Sequence, residues 1–392
     1  MYKRQVYGGS IYTGGIGTLL TSFLNSRERG KDIQNICLQC GTCNTVCGGK
    51  LDIAGMILKL RTKFAQEDGL NPVHKFCLDT VADRHLFHSM LRIASVAQGM
   101  ITKGQPMIRH LPMFLSGLTA GRSLPSVAPQ PFRDILPTIK QDVPNPKGKI
   151  AIFTGCLLDF VYVDIATDVV KALNMAGYIV EMPLGQACCG APATYMGDVE
   201  NAKKAAEMNL NAMEAEKYDY IVSACPTCTH ALRDYVDFFK DNPEMLKKAE
   251  ELRSKTFDFC KLVSMLGGLP DTGDGVPMKV TYHDSCHLNR YLGVTKEQRE
   301  LLKATKGVEL IEMHDCDKCC GFGGSYSVKF PEMSAPILEE KINNIVASGA
   351  DVVAVDCPGC LLQIRGGLDA RGLNNIQVKH TAQIVVEKRE KK

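Results

Sequence analysis

KVTYHDSCH (279–287), CCGFGG (319–324) and CPGC (357–360) follow one another along a stretch that the chain carries in an earlier version: KIAIFTGC (149–156), CCG (188–190) and CPTC (225–228). With x for any residue, the first copy reads C-x31-CC-x35-C-x-x-C and the second C-x32-CC-x36-C-x-x-C. Five cysteines returning at nearly the same spacing mean that a structural unit was duplicated, each copy with its own site. Short apolar, β-branched segments lead into the cysteines: KIAIF, YIVEMP (178–183) and YIVSA (220–224), then MKVTYHD (278–284), VELIEM (308–313) and DVVAVD (351–356). Helical segments over 161–176, 199–216, 298–305 and 334–348 alternate with them. That alternation predicts a parallel α/β fold. Each cysteine group then falls just past the carboxyl end of a strand, where open parallel sheets bind ligands, so five thiolates converge on one crevice. Gly190 and Gly321 let the backbone approach closely there.

Composition narrows the chemistry. The 392 residues predict two or three domains, and 45% apolar with 23% charged residues is ordinary for a globular chain. A net charge of +3, scattered along the chain, gives no footprint for nucleic acid. Seventeen cysteines are the outlier. Nothing after Met1 reads as the apolar core of a secretory leader, and no apolar run reaches the roughly eighteen residues of a membrane span. Reduced thiols serving as metal or cluster ligands in a cytoplasmic setting are therefore expected, with peripheral association at the inner membrane face left open.

Nearer the start stands Cys37-x-x-Cys40-x-x-Cys43-x-x-x-Cys47. This run is similar to the cubane [4Fe–4S] motif of bacterial ferredoxins, where three thiolates wrap one cluster and the fourth points to a second. Zinc is the alternative. Gly48 stands where proline usually follows, and no sister run is present. Either Cys47 or the isolated Cys77 closes the cluster, or the sister motif lay upstream of a truncated beginning. Truncation is the favoured expectation. Downstream, Asp52 is placed to cap a helix with an apolar face of Ile53, Met56, Ile57, Leu60 and Phe64. His74, His85 and His88 receive no role. Eight prolines between 105 and 149 mark a connector, whose Arg109, Arg122 and Arg133 read as solvated linker surface or as contacts to an anionic partner.

In each repeated set, five thiolates exceed the four that zinc or a cubane needs, and adjacent cysteines such as Cys319 and Cys320 can bind different irons. A structural zinc leaving one thiol idle is the alternative. Cys260 reads as a buried small hydrophobe, and Cys316 has no partner in the first copy. His283 and His287 bracket Cys286; they either tune a neighbouring cluster or cap the following helix. Asp284 and Lys318 are further neighbours of that site.

The doubled pattern resembles the cysteine-rich CCG domain shared by heterodisulfide reductases, glycolate oxidase iron–sulfur subunits and L-lactate utilization proteins. CCGFGGSYSVKFPEMS (319–334), and the segment before ICLQCGTC (36–43), are most similar to the lactate branch, the L-lactate dehydrogenase iron–sulfur proteins included. The resemblance implies two tandem CCG α/β repeats after a small helical ferredoxin-like module. It divides the chain into that partial module (1–104), the connector (105–148), a first CCG domain (149–243), a helical insertion (244–278) and a second CCG domain (279–392). It implies a cubane cluster on Cys37, Cys40, Cys43 and Cys47. Two noncubane [4Fe–4S] clusters would sit on Cys156, Cys188, Cys189, Cys225 and Cys228, and on Cys286, Cys319, Cys320, Cys357 and Cys360. The implied function is the iron–sulfur electron-transfer subunit of a lactate-type 2-hydroxy acid dehydrogenase. Its partners would be other subunits or a missing N-terminal domain, and a quinone or soluble carrier. No Gly-rich dinucleotide fingerprint is present, so any flavin belongs to a partner or the missing domain. Disulfide reduction at noncubane clusters, as in heterodisulfide reductase, is the alternative. A zinc-stabilised scaffold is a third reading.

Overall fold

The computed structural model describes residues 14–24, 26–102, 107–108, 123–270 and 275–389. At its centre are two four-stranded parallel sheets with the same strand order. In the first, β1 (Gly148–Ile152), β2 (Tyr178–Glu181), β3 (Tyr220–Ser223) and β4 (Thr256–Asp258) lie in the order β2-β1-β3-β4. In the second, β5 (Met278–His283), β6 (Val308–Leu310), β7 (Val352–Val355) and β8 (Gln377–Lys379) lie as β6-β5-β7-β8. Even the register repeats. Ile150 pairs with Val180 and Tyr220, and Val280, its equivalent, with Leu310 and Val352. The central strands are apolar on both faces because helices cover both, as parallel sheets require.

Ahead of the sheets stand α1 (Gly14–Leu24), α2 (Arg27–Asn35), α3 (Ile53–Asp68), α4 (Pro72–Ala82) and α5 (Arg84–Thr102). Asp52 caps α3 as its position predicts, accepting from the Gly55 amide at 3.0 Å. Ile53, Ile57 and Phe64 of the expected apolar face are buried, while Met56 is 37% exposed. The first repeat adds α6 (Gly155–Phe160), α7 (Val163–Met175), α8 (Ala191–Met196), α9 (Val199–Met213) and α10 (Pro226–Asp234). Among the described residues, no helix is long and apolar enough to cross a membrane.

The helical insertion expected over 244–278 is corrected by the sheet. That segment holds α11 (Pro243–Lys255), then β4, then α12 (Phe259–Met265). Strand β4 pairs with β3 through Ile221–Thr256 and Val222–Phe257, so the segment finishes the first repeat. Its counterparts in the second repeat are β8 and the last helix. The second repeat carries α13 (Glu297–Lys303), α14 (Pro331–Ser348), α15 (Pro358–Ala370) and α16 (Thr381–Glu387).

The repeats interlock reciprocally: α7 packs on α16, and α12 packs on α13. The polar contacts obey the same exchange. Gln383, third residue of α16, donates to Asp164 at 2.8 Å, and Lys261, third residue of α12, meets Glu297 at 2.8 Å. One apolar core runs through both repeats, with Val169, Leu173 and Val263 in the same cluster as Leu301, Leu338 and Val385.

In the connector, Met107–Ile108 pairs antiparallel with Leu124–Pro125. Arg109, Arg122, the glycine-rich beginning up to residue 13 and the last three residues of the charged tail lie outside the described residues. Arg133 corrects the reading of a solvated linker: its side chain, 9% exposed, lies against Asp159, donating from Nε at 2.8 Å and from its backbone amide at 3.1 Å.

Candidate metal centres

The carboxyl ends of both sheets and the loop after α2 enclose a cavity of about 810 Å³. Cys37, Cys40 and all ten cysteines of the two repeated sets line it. Local sequence explains how. In Cys-Pro-x-Cys, proline starts a helix at its first turn, which fixes Cys225 and Cys357 as the N-caps of α10 and α15 and sets Cys228 and Cys360 one turn on. Helix N-termini also favour thiolates. Gly155 has φ 57°, and a Cβ there would stand 2.9 Å from Cys228 Sγ. Gly321 has φ 85°, and a Cβ there would meet the Ser334 carbonyl oxygen at 2.8 Å. A glycine is therefore needed where α14 packs against the Cys319-Cys320 loop.

The ten thiols form one unbroken row. Within the first set, neighbours touch in the order Cys156, Cys188, Cys189, Cys228, Cys225. Cys225 then contacts Cys357, and the row continues through Cys360, Cys320 and Cys319 to Cys286. Read from the centre, the two halves are equivalent residue by residue, with the Cys225–Cys357 contact at the middle. Within each half some sulfurs collect donors from both neighbours. Hydrogen bonds from Cys188 and Cys228 draw Cys189 down to about 6. Those from Cys225 and Cys360 hold Cys357 well below the usual thiol range. The partners bear the opposite effect: hydrogen bonding to Cys188, then burial, pushes Cys156 up. Sulfurs this crowded and buried cannot all ionise without a bound cation to balance them. Soft, buried donors, five to a set, fit a polynuclear iron–sulfur group better than one tetrahedral zinc.

The N-terminal cysteines sit against the second set. Cys37, Cys43 and Cys47 pack among Leu19, Ile53 and Ile57, whereas Cys40 and Cys319 both pack against the cluster of Leu38, Tyr326 and Ile337. Burial, followed by Cys37 and Cys40, pushes Cys43 up to about 11. Arg290 donates to the Cys40 carbonyl at 3.3 Å, and the Tyr291 hydroxyl to the Gln39 carbonyl at 2.9 Å. Arg61 ties the same loop to the first repeat. It reaches the Gln34 carbonyl at 2.5 Å, the Cys37 carbonyl at 3.0 Å and the Tyr195 carbonyl at 2.6 Å. Cys77 is exposed on α4 and lines no part of the cavity.

Neither bracketing histidine caps a helix. His283 ends β5 fully buried, with Nδ1 3.2 Å from the Cys316 carbonyl and its ring beside Cys320 and Cys360. Burial, then Lys341, lowers it to about 3. His287 spans the repeats: its Nε2 lies 2.7 Å from the Tyr195 hydroxyl, and its ring stacks on Tyr291 at 5.0 Å. Burial, with His230 beside it, lowers His287 to about 4. Asp284 faces Arg299 at 2.8 and 2.9 Å and also the Cys316 thiol, and Lys318 pairs with Asp315 and Glu340. Cys260 is buried as predicted, its thiol 3.5 Å from Asp356. Cys316 stands outside the row, beside Arg299 at 3.6 Å. Sequence does not mark Arg61 and Tyr195, because no spacing rule links them to the cysteines.

Residues 150–233 and 280–365 match the cysteine-rich domain family CCG. The chain is 39% identical over 240 residues to Lactate utilization protein A of Shouchella clausii (strain KSM-K16), covering 61% of this chain and 99% of that protein. It is 30% identical over 375 residues to the Probable glycolate oxidase iron-sulfur subunit of Bacillus subtilis (strain 168), covering 92% of this chain and 84% of that protein. A crystal structure of a hypothetical protein from Helicobacter pylori covers 97% of this chain and 77% of its own at TM-score 0.48 and 10% identity. The chain belongs to the CCG cysteine-rich domain family of these iron–sulfur subunits and lactate utilization proteins.

Proposed function

We propose that this chain is the iron–sulfur electron-transfer subunit of a lactate-type 2-hydroxy acid dehydrogenase. The observation that carries it is the continuous row of ten thiols, eight of them buried, with the N-terminal cysteines seated at its second half. Relatives named for lactate utilization and for a glycolate oxidase iron–sulfur subunit support the substrate class. Iron–sulfur clusters supply one-electron storage and transfer when bound. Cys37, Cys40, Cys43 and Cys47 would hold a cubane; the first and second five-cysteine sets would each hold a noncubane cluster. The protein's part is to bind them, keep them dry and fix their order: N-terminal set, second set, first set. That order is supported by Arg290 and Tyr291, just past Cys286, binding the Cys40 and Gln39 carbonyls, and by Cys225 meeting Cys357. The electron donor belongs to a partner protein or a further domain, since this chain shows no flavin fingerprint. A quinone or soluble carrier is the acceptor, reached in the cytoplasm or at the inner membrane face.

The test is iron and acid-labile sulfide per chain after anaerobic reconstitution. About twelve irons, with matching sulfide, are expected; zinc in their place overturns the reading. A second reading, disulfide reduction, is favoured by the extent of the cavity. It continues past the sulfurs to the turn between α3 and α4, with His74, and to Lys329, an amine whose pKa burial, then Arg61, lowers. Disulfide-dependent oxidation of a reduced dye by the reconstituted chain, absent with 2-hydroxy acid systems, would favour it.

A further inference from the structure

The two halves of the sulfur row are not chemically equal. Three residues before the first cysteine of each set, at the end of equivalent strands, the first copy has Phe153 and the second has His283. Both are fully buried. Phe153 belongs to the same core cluster as Cys188, Cys189 and Cys228, and its ring and the Cys228 sulfur both border Gly155. His283 occupies the corresponding place beside Cys320 and Cys360: a ring nitrogen and the two sulfurs lie within 4.8 Å of one another. A phenyl ring fills this place in the first copy, so packing alone does not call for an imidazole in the second.

The hydrogen bonding of the ring fixes which nitrogen is available. Nδ1 faces the carbonyl oxygen of Cys316 at 3.2 Å, an atom with no proton to give, so Nδ1 carries the hydrogen and donates it. Nε2 makes no hydrogen bond among the described residues. A backbone carbonyl holding one imidazole nitrogen while the other is free is the arrangement seen at metal-ligating histidines. Once Cys320 and Cys360 are thiolates, neither has a proton to offer Nε2. A metal ion held by the same two sulfurs can take its lone pair.

We propose that His283 Nε2 is a ligand of the iron held by Cys320 and Cys360, giving the second site a nitrogen donor that the first site lacks. This rests on the reading that the cysteine sets hold iron–sulfur clusters. A neutral imidazole leaves a cluster less negative than a thiolate would, and so raises its potential.

The experiment uses the full chain, reconstituted anaerobically with iron and sulfide, with natural or 15N-labelled histidine. Pulsed EPR of the reduced protein and a redox titration are recorded for wild type, His283→Phe and His283→Cys. A nitrogen coupling that changes with the histidine label and vanishes in both variants is expected. One midpoint potential should move down in His283→Cys, which keeps a donor and the iron content. His283→Phe copies the first site's own residue and so serves as the packing control. Wild-type protein that loads iron, yet shows neither a histidine coupling nor any potential shift in the variants, overturns this inference alone. Protein that takes up no iron overturns the cluster reading and this inference with it.

Discussion

Arg133 and Asp159 show what a single buried pair does here. Asp159 is fully buried; burial pushes its carboxyl up, while Arg133 pulls it back down. Removing one partner of such a pair strands the other. Arg133→Ala is expected to cost about 3–5 kcal/mol, read as a lower urea midpoint at unchanged slope. His88 gives a pH test. Its ring lies 4.9 Å from Phe160, and burial, then Arg133, lowers its pKa to about 3. Unfolded histidine takes up its proton near pH 6.5, so between about pH 6.5 and 3 the unfolded chain binds the extra proton. Stability must then fall as pH drops through that window. His88→Phe should show a shallower loss of melting temperature between pH 7 and 5 than wild type; parallel slopes would clear His88 of the effect. Neither residue's role is legible in the sequence. Arg133's partner is 26 residues away and His88 lies on a mixed helical stretch, so no local pattern marks either. The ten repeated cysteines are legible because duplication exposes their spacing. His283 is marked by its place beside Cys286, but its direction is not: a ring at the end of a strand can face a helix amide or a sulfur, and only the packed structure decides.

At the scale of elements, the strand-then-cysteine rhythm is readable wherever the strand is a run of β-branched residues, as in β1, β3 and β7. It fails at β4. Thr256–Asp258 is a three-residue strand between two helices, too short to show a period, and its pairing to β3 is set by the sheet rather than by its own composition. The loops after the strands carry the site, and their geometry is strict at Gly155 as it is at Gly321. At Gly155 a side chain would be strained by the positive φ, at about 1–2 kcal/mol, and its Cβ would press on Cys228 Sγ at 2.9 Å. The damage belongs to the first set. Gly155→Ala is expected to lower iron by about four per chain while the second set keeps its share. Loss of all iron, or of none, would show that this turn does not position Cys228.

For the whole molecule, the reciprocal packing matters more than either repeat. A domain that buried its own core would survive loss of its neighbour, but here each repeat supplies a helix that covers the other: α16 on α7, and α12 on α13. Helix α16 brings Ala382, Val385 and Val386, all at most 1% exposed, into the core that contains Val169 and Leu173 of the first repeat. Fully burying an aliphatic side chain contributes about 1.5–3 kcal/mol, so uncovering this face removes a sum comparable to the stability of a typical domain. Deleting residues 381–392 therefore tests whether the row of ten sulfurs is one structure or two. If the repeats were independent, the deletion would unmake only the second set, iron would fall by about four, and the first set would load normally. The shared core argues otherwise. The truncated chain is expected to lose both repeated sets, about eight irons, and intact protein is expected to unfold in one transition seen alike by far-ultraviolet circular dichroism and by cluster absorbance. Two separate transitions in the intact chain, with cluster absorbance lost in halves, would mean that the contact between Cys225 and Cys357 joins two units that stand on their own.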